Sequence, residues 1–150
     1  MASDAERPGS LEQLAHAFCR SIPHNQVLGL RVAQAGEDTT SLVLPYSPEL
    51  VGNPETGVLA GGPVTSLIDA ACGGAVLMKV GRSVRIATLD LRIDYLRPAR
   101  PGQDLVAHAH CYKLTRSVAF VRALAHQGDE SDPVASAQGT FVVRAGGGAP

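Results

Sequence analysis

No charge of either sign dominates this chain. Thirteen lysines and arginines stand against fourteen aspartates and glutamates, a net charge of -1. That leaves no basic field to wrap a nucleic-acid backbone, and neither arginine-rich runs nor interleaved aromatics appear, so no nucleic-acid partner is expected. Cysteine is scarce as well. Cys19, Cys72 and Cys111 are odd in number, widely spaced and outside any C-x-x-C pair, which points to a reducing cytoplasm and not to a disulfide framework. The first ten residues lack the apolar h-region of a secretory signal. No predominantly aliphatic run of about 20 residues, the length needed to span a membrane, is present, so no membrane partner is expected. There is no internal repeat. A chain of 150 residues fits one ordinary domain with a real core. The expected organisation is a lead-in helix and linker over 1–26, one domain over 27–144 and a frayed tail over 145–150.

What the chain does have is one isolated carboxylate. From Thr56 to Met78 the only charged residue is Asp69. Burying an ionised carboxylate without partners is so costly that the group finds hydrogen bonds or takes up a proton, so its presence invites a functional reading. Gly62-Pro63 is a good helix opening, because proline lacks the N–H that a first turn leaves unsatisfied. From Pro63 to about Lys79, the residues Val64, Leu67, Ile68, Ala71, Ala75 and Met78 recur at helical spacing. Asp69 therefore lies about two turns into a helix that is apolar nearly all round. Such a helix belongs inside a protein, wrapped by a sheet.

The flanks supply that sheet. Ser10 before Leu11, Leu14, Ala15 and Phe18, with Gln13 three residues on, reads as a capping box opening a short amphipathic helix that Pro23 stops. Leu28–Ala33 and Thr39–Tyr46 read as a hairpin about Gly36-Glu37-Asp38, followed by a loop over Ser47–Gly57. Leu89, Leu91, Ile93 and Tyr95 alternate with Asp90, Arg92 and Asp94, whereas Val84 and Ile86 hold the opposite parity. The phase change near Ala87 and Thr88 predicts a β-bulge. Strands over 104–113, 118–126 and 133–144 follow, and their short connections predict antiparallel neighbours. The plan is α+β, a twisted antiparallel sheet curling about one long helix.

These residues resemble a known family. Asn53-x-x-x-Gly57-Val58-Leu59-Ala60-Gly61-Gly62-x5-Ile68-Asp69, followed by Thr88-Leu89-Asp90-Leu91-Arg92-Ile93-Asp94-Tyr95-Leu96-Arg97-Pro98-Ala99, is similar to the hotdog-fold acyl-CoA thioesterases of the PaaI-like group. The likeness runs from about Leu28 to Arg144. The family motif is Asn-x-x-Gly-x-Leu-His-Gly-Gly with an acidic residue further along the central helix. The resemblance implies that Asp69 is the catalytic acid and that the Gly61 N–H polarises the thioester carbonyl. It also places Asn53 as the residue positioning water or thioester, and Thr88 near that water. Two departures stand out: Ala60 replaces the family's histidine, and Asn53 lies one residue further from Gly57. The implied activity is hydrolysis of an acyl-CoA substrate by a homodimer or homotetramer, with no cofactor and no metal.

Thioester hydrolysis needs an activated water or a nucleophile, and donors for the oxygen that becomes negative. Free N–H groups at the helix start near Gly61 and Gly62 suit the second task. Asp69 suits the first, as general base or as nucleophile. Eight positions apart on one helix, Gly61 and Asp69 would be roughly 12 Å apart, too far to address one carbonyl, which favours a site shared between two chains. Lys113 and Arg116, beside a turn, are candidate phosphate contacts for coenzyme A.

Blander readings stand beside these. Asp69 reads equally as a carboxylate capped by Thr65 or Ser66. Gly61-Gly62 reads as a mere helix opening, Asn53 as a turn residue and Thr88 as a β-branched strand residue. His108 and His110 share a strand face, but no third ligand joins them at a suggestive spacing. Cys72 reads as core filler, and Ser66 lacks a nucleophile-elbow context. The alternatives to a thioesterase are a non-catalytic acyl-CoA-binding hotdog protein, supported by Ala60, and a hotdog hydratase or dehydratase.

Overall fold

A helix that is apolar on every side needs cover on every side, and the central helix α3 (Gly61–Val80) has it. In a computed structural model of the chain, which describes residues 9–81 and 84–146, every residue from Leu67 to Met78 is buried except Asp69, which is half-buried. By length and composition α3 is apolar enough to cross a membrane. Here a sheet supplies its apolar surroundings.

The helix opens two residues earlier than the periodicity predicts, with Ala60 as N-cap and Pro63 inside the first turn, where proline's missing N–H costs nothing. It ends at Gly81, whose φ of +87° is a conformation glycine adopts freely. The lead-in helix α1 (Leu11–Ser21) carries the expected capping box between Ser10 and Gln13. Pro23 does more than stop it, because it starts a second short helix, α2 (Pro23–Val27), in whose first turn a proline fits. Leu28 therefore caps a helix instead of opening a strand. Gly29, at φ +71°, turns the chain into β1 (Arg31–Ala35).

The remaining strands are β2 (Thr39–Leu44), β3 (Val51–Asn53), β4 (Val58–Leu59), β5 (Val84–Tyr95), β6 (Leu105–Leu114), β7 (Val118–His126) and β8 (Ala135–Ala145). Six of them form one antiparallel sheet in the order β1-β2-β6-β7-β8-β5. The expectation that sequential strands are neighbours fails once: β5 pairs with β8, and β6 pairs with β2. Residues 96–104 carry the chain across the sheet's end, where Leu96 and Arg97 N–H groups bond to Val134 C=O. The expected loop over Ser47–Gly57 contains the small β3–β4 hairpin instead. Most of the expected tail lies outside the described residues, as do residues 1–8.

The inner sheet face is built largely from alanine, with Ala107, Ala109, Ala119, Ala123, Ala125 and Ala135 buried beside Leu42, Leu44, Leu105 and Val121. Small residues let α3 lie close. At Gly74 a Cβ would come within 3.1 Å of the Thr40 side chain, tighter than an ordinary contact, so glycine eases that approach. The anticipated bulge is present, as a register shift between Thr88 and Asp90 in β5.

Candidate active site

The bulge decides where Thr88 points. Val84 to Thr88 pair in sequence with β8 residues Ala145 to Phe141, Leu89 is the extra residue, and pairing resumes at Asp90. Thr88 thereby stands opposite Phe141 beside α3, and its Oγ1 donates a hydrogen bond of 2.8 Å to Asp69 Oδ1. The capping of Asp69 by Thr65 or Ser66 does not form. Thr65 Oγ1 instead meets Tyr95 Oη at 2.9 Å. Asp69 and Thr88 line one cleft of about 240 Å³. Its apolar wall includes Phe18, Ile86 and Phe141, with Gly73 set so that a Cβ would lie 3.4 Å from Phe18. Helices α1 and α2 close the cleft with Phe18, Ile22, His24 and Asn25.

The other end of α3 makes a second site. Ala60 offers no side-chain cap, so the first-turn N–H groups at Gly61 and Gly62 lie at the positive helix end without a side-chain acceptor at the N-cap. A Cβ on Gly62 would meet nothing within 4 Å, whereas one on Gly61 would sit 3.3 Å from Tyr95 Oη. Tyr95 Oη donates to Gly61 C=O at 3.0 Å, tying the end of β5 to the helix start. Gly61, Val64 and Tyr95 line a cavity of about 440 Å³ that does not include Asp69. Within one chain, Gly61 and Asp69 thus belong to different cavities.

Asn53 sits on the β3–β4 hairpin, exposed, with Oδ1 accepting from Glu55 N–H at 3.0 Å and its carbonyl accepting from Gly57 N–H at 2.8 Å. That is an Asx turn, and it lines neither cavity. Lys113 lies at the end of β6 and Arg116 in the following turn, both exposed and outside both cavities. His108 and His110 share the outer sheet face: His108 Nδ1 meets Ser41 Oγ at 2.7 Å, and His110 Nε2 faces Asp38 at 3.4 Å. Cys72 is buried, and burial first, with the charge of Asp69 second, pushes its thiol up to about 12. It is no nucleophile at neutral pH.

Sequence reasoning missed Tyr95 and the α1–α2 wall. Tyr95 counted only as an apolar strand residue, and nothing in local sequence shows which helix its hydroxyl reaches. Asn25 follows a helix-stopping proline and carries no pattern of its own.

Residues 56–134 match the thioesterase superfamily. The chain is 30% identical over 147 residues to the medium/long-chain acyl-CoA thioesterase YigI of Escherichia coli K12, with 89% of this chain and 94% of that protein covered. A crystal structure of a Pseudomonas aeruginosa protein superposes with a TM-score of 0.81 at 42% identity, covering 89% of this chain and 98% of that one. The PaaI protein of the E. coli phenylacetic acid degradation operon is similar in fold, with a TM-score of 0.78 at 20% identity over 91% of this chain and 98% of that one.

Proposed function

The chain belongs to the thioesterase superfamily, and from that premise we propose that it hydrolyses an acyl-CoA to the free acid and coenzyme A through Asp69. The observation that carries this reading is the carboxylate itself, the one residue not buried between Leu67 and Met78, held by Thr88 at the edge of a cleft. As general base, Asp69 takes a proton from water while the water oxygen bonds to the thioester carbonyl carbon. The oxyanion so formed needs N–H donors, and those at Gly61 and Gly62 suit it. Collapse breaks the C–S bond, and the coenzyme A thiolate takes up the proton that Asp69 received. As nucleophile, Asp69 would bond to the thioester carbonyl carbon and expel coenzyme A as its thiolate, forming an acyl anhydride that water cleaves to the free acid and the Asp69 carboxylate, the released proton going to the thiolate. Label in the Asp69 carboxylate after a single turnover in ¹⁸O-water identifies the second route with water attacking the Asp69 carbonyl, and hydroxylamine trapping of the anhydride identifies it whichever carbonyl the water attacks.

The separation of Gly61 and Asp69 into different cavities supports a site shared by two chains. β5 is an edge strand whose free side is unpaired, and Leu89 and Leu96 beside it are 58% and 55% exposed. A long edge strand with its outer side open and exposed leucines beside it invites pairing with a second copy. We therefore read the protein as a dimer, with tetramers as pairs of dimers. Lys113 and Arg116, exposed at one sheet end, are our candidates for the phosphates of coenzyme A. Three free buried cysteines suit a reducing cytoplasm.

Ala60 favours a second reading, in which the domain binds acyl-CoA without cleaving it, because the helix N-cap carries no polar side chain. Thiol release from short, medium, long and aromatic acyl-CoAs tests both readings, with medium and long chains first because of the YigI likeness. Hydrolysis predicts thiol release from at least one class. Binding without release from any class supports the second reading, and turnover confined to enoyl or hydroxyacyl substrates without thiol release makes the protein a hydratase.

A further inference from the structure

The wall that α2 contributes to the Asp69 cleft contains a side chain with nothing to do in the fold. Asn25 is 4% exposed, its Nδ2 is buried without a hydrogen-bond partner, and it lines the same cleft as Asp69 and Thr88. The large majority of buried side-chain polar atoms have a partner, so an orphan of this kind calls for a ligand or a water. Its backbone is fully used: the N–H donates to Ile22 C=O at 3.0 Å, and the C=O accepts from Leu30 N–H at 2.9 Å. Those bonds, with Pro23 fixing the start of α2, hold the residue in place without help from its amide. The fold therefore positions the side chain and does not consume it.

We infer that the Asn25 amide binds the water that Asp69 activates. Thr88 occupies Asp69 Oδ1, and Oδ2 takes no hydrogen bond among the described residues. A bound water needs two to four polar partners and about 30 Å³ of space. The cleft supplies about 240 Å³ and places Asn25, Asp69 and Ser66 around it. The water donates one O–H to Asp69 Oδ2 and uses the amide as its second anchor, which leaves a lone pair for the thioester carbon. The anchor works with the amide turned either way, because its nitrogen donates to a lone pair and its oxygen accepts the second O–H. His24, exposed at the same wall, is not needed for this arrangement.

This inference rests on the thioesterase reading, and the test separates the two. Native protein, Asp69→Asn, Asn25→Leu and Asn25→Ser are compared for kcat, KM and Tm on the best acyl-CoA of the panel. Asn25→Leu has nearly the same shape and removes an unsatisfied group. The expected result is a 10- to 100-fold fall in kcat, KM within about twofold, and a Tm equal to or above the native value. A structural amide would instead lower Tm with kcat kept. If Asn25→Leu does not fold, Asn25→Ser carries the test with a smaller fall in kcat. Turnover within twofold of native in the folded variant, while Asp69→Asn is inactive, overturns the inference alone. No turnover by the native protein overturns the reading beneath it.

Discussion

Thr88 Oγ1 and Asp69 Oδ1 meet at 2.8 Å across the seam between edge strand β5 and central helix α3. The bond fixes the carboxylate's rotation and leaves Oδ2 without a hydrogen bond among the described residues. Thr88→Val keeps the strand's β-branched shape and removes the bond. A hydrogen bond to a charged group is worth about 1.5–3 kcal/mol, so kcat should fall roughly 10- to 100-fold, with KM little changed. Thr88→Ser should stay within about threefold of native. Steady-state thiol release on the two variants checks this, and equal rates for Val and Ser would remove Thr88 from the mechanism.

Gly62 separates folding from chemistry. A Cβ there meets nothing within 4 Å and the residue lies in the first turn of α3, so Gly62→Ala should keep Tm or raise it, by up to about 1 kcal/mol in stability. If a substrate oxygen approaches that backbone, kcat/KM should fall at least tenfold all the same. At Gly61 the same methyl crowds Tyr95 Oη at 3.3 Å, so Gly61→Ala should lose stability as well as activity. Thermal melts beside rates distinguish the two positions.

Much of this arrangement was legible in the residues, and the reasons differ by element. Helix α3 announced itself because Gly62-Pro63 opens it and apolar positions at helical spacing persist from Val64 to Met78. The bulge beside Thr88 was legible because a parity change in β5 has few other causes. What failed was non-local. The pairing of β5 with β8 instead of β6 depends on how residues 96–104 cross the sheet's end, which no local pattern encodes. Asn53 looked equally like a site residue and a turn residue, and its amide closes an Asx turn. Tyr95 and Asn25 matter through distant partners, so their spacing gave no signal.

Cys72 predicts an alkaline limit to stability. Its thiol, near 9 in an unfolded chain, is pushed up to about 12 in the fold by burial and then by Asp69. Between those values the unfolded state ionises and the folded one does not, so the unfolded state binds fewer protons and stability falls as pH rises. The contribution is whole below pH 9 and declines by up to about 1.4 kcal/mol per pH unit above it. Chemical denaturation from pH 8 to 11 should show this slope, and Cys72→Ala should reduce it, leaving the part of the same sign that burial of the Cys19 and Cys111 thiols contributes. An unchanged slope in that variant would assign the loss to other groups.

The proposed two-chain site makes a prediction about assembly. Leu89→Arg with Leu96→Arg places charge on the exposed β5 edge and leaves the Asp69–Thr88 bond within its own chain. Light scattering should report a monomer, and kcat/KM should fall at least 100-fold because Gly61 and Asp69 no longer face one carbonyl. A monomer with native turnover would show that one chain suffices.

The central claim is that Asp69 performs the hydrolysis, and one comparison reaches it directly. Native protein and Asp69→Asn are assayed for thiol release on the best acyl-CoA of the panel, with thermal melts on both. The account predicts that kcat falls by roughly 10²–10⁴, the range for losing a general base, with only a modest change in Tm. Native turnover by a folded Asp69→Asn would contradict it.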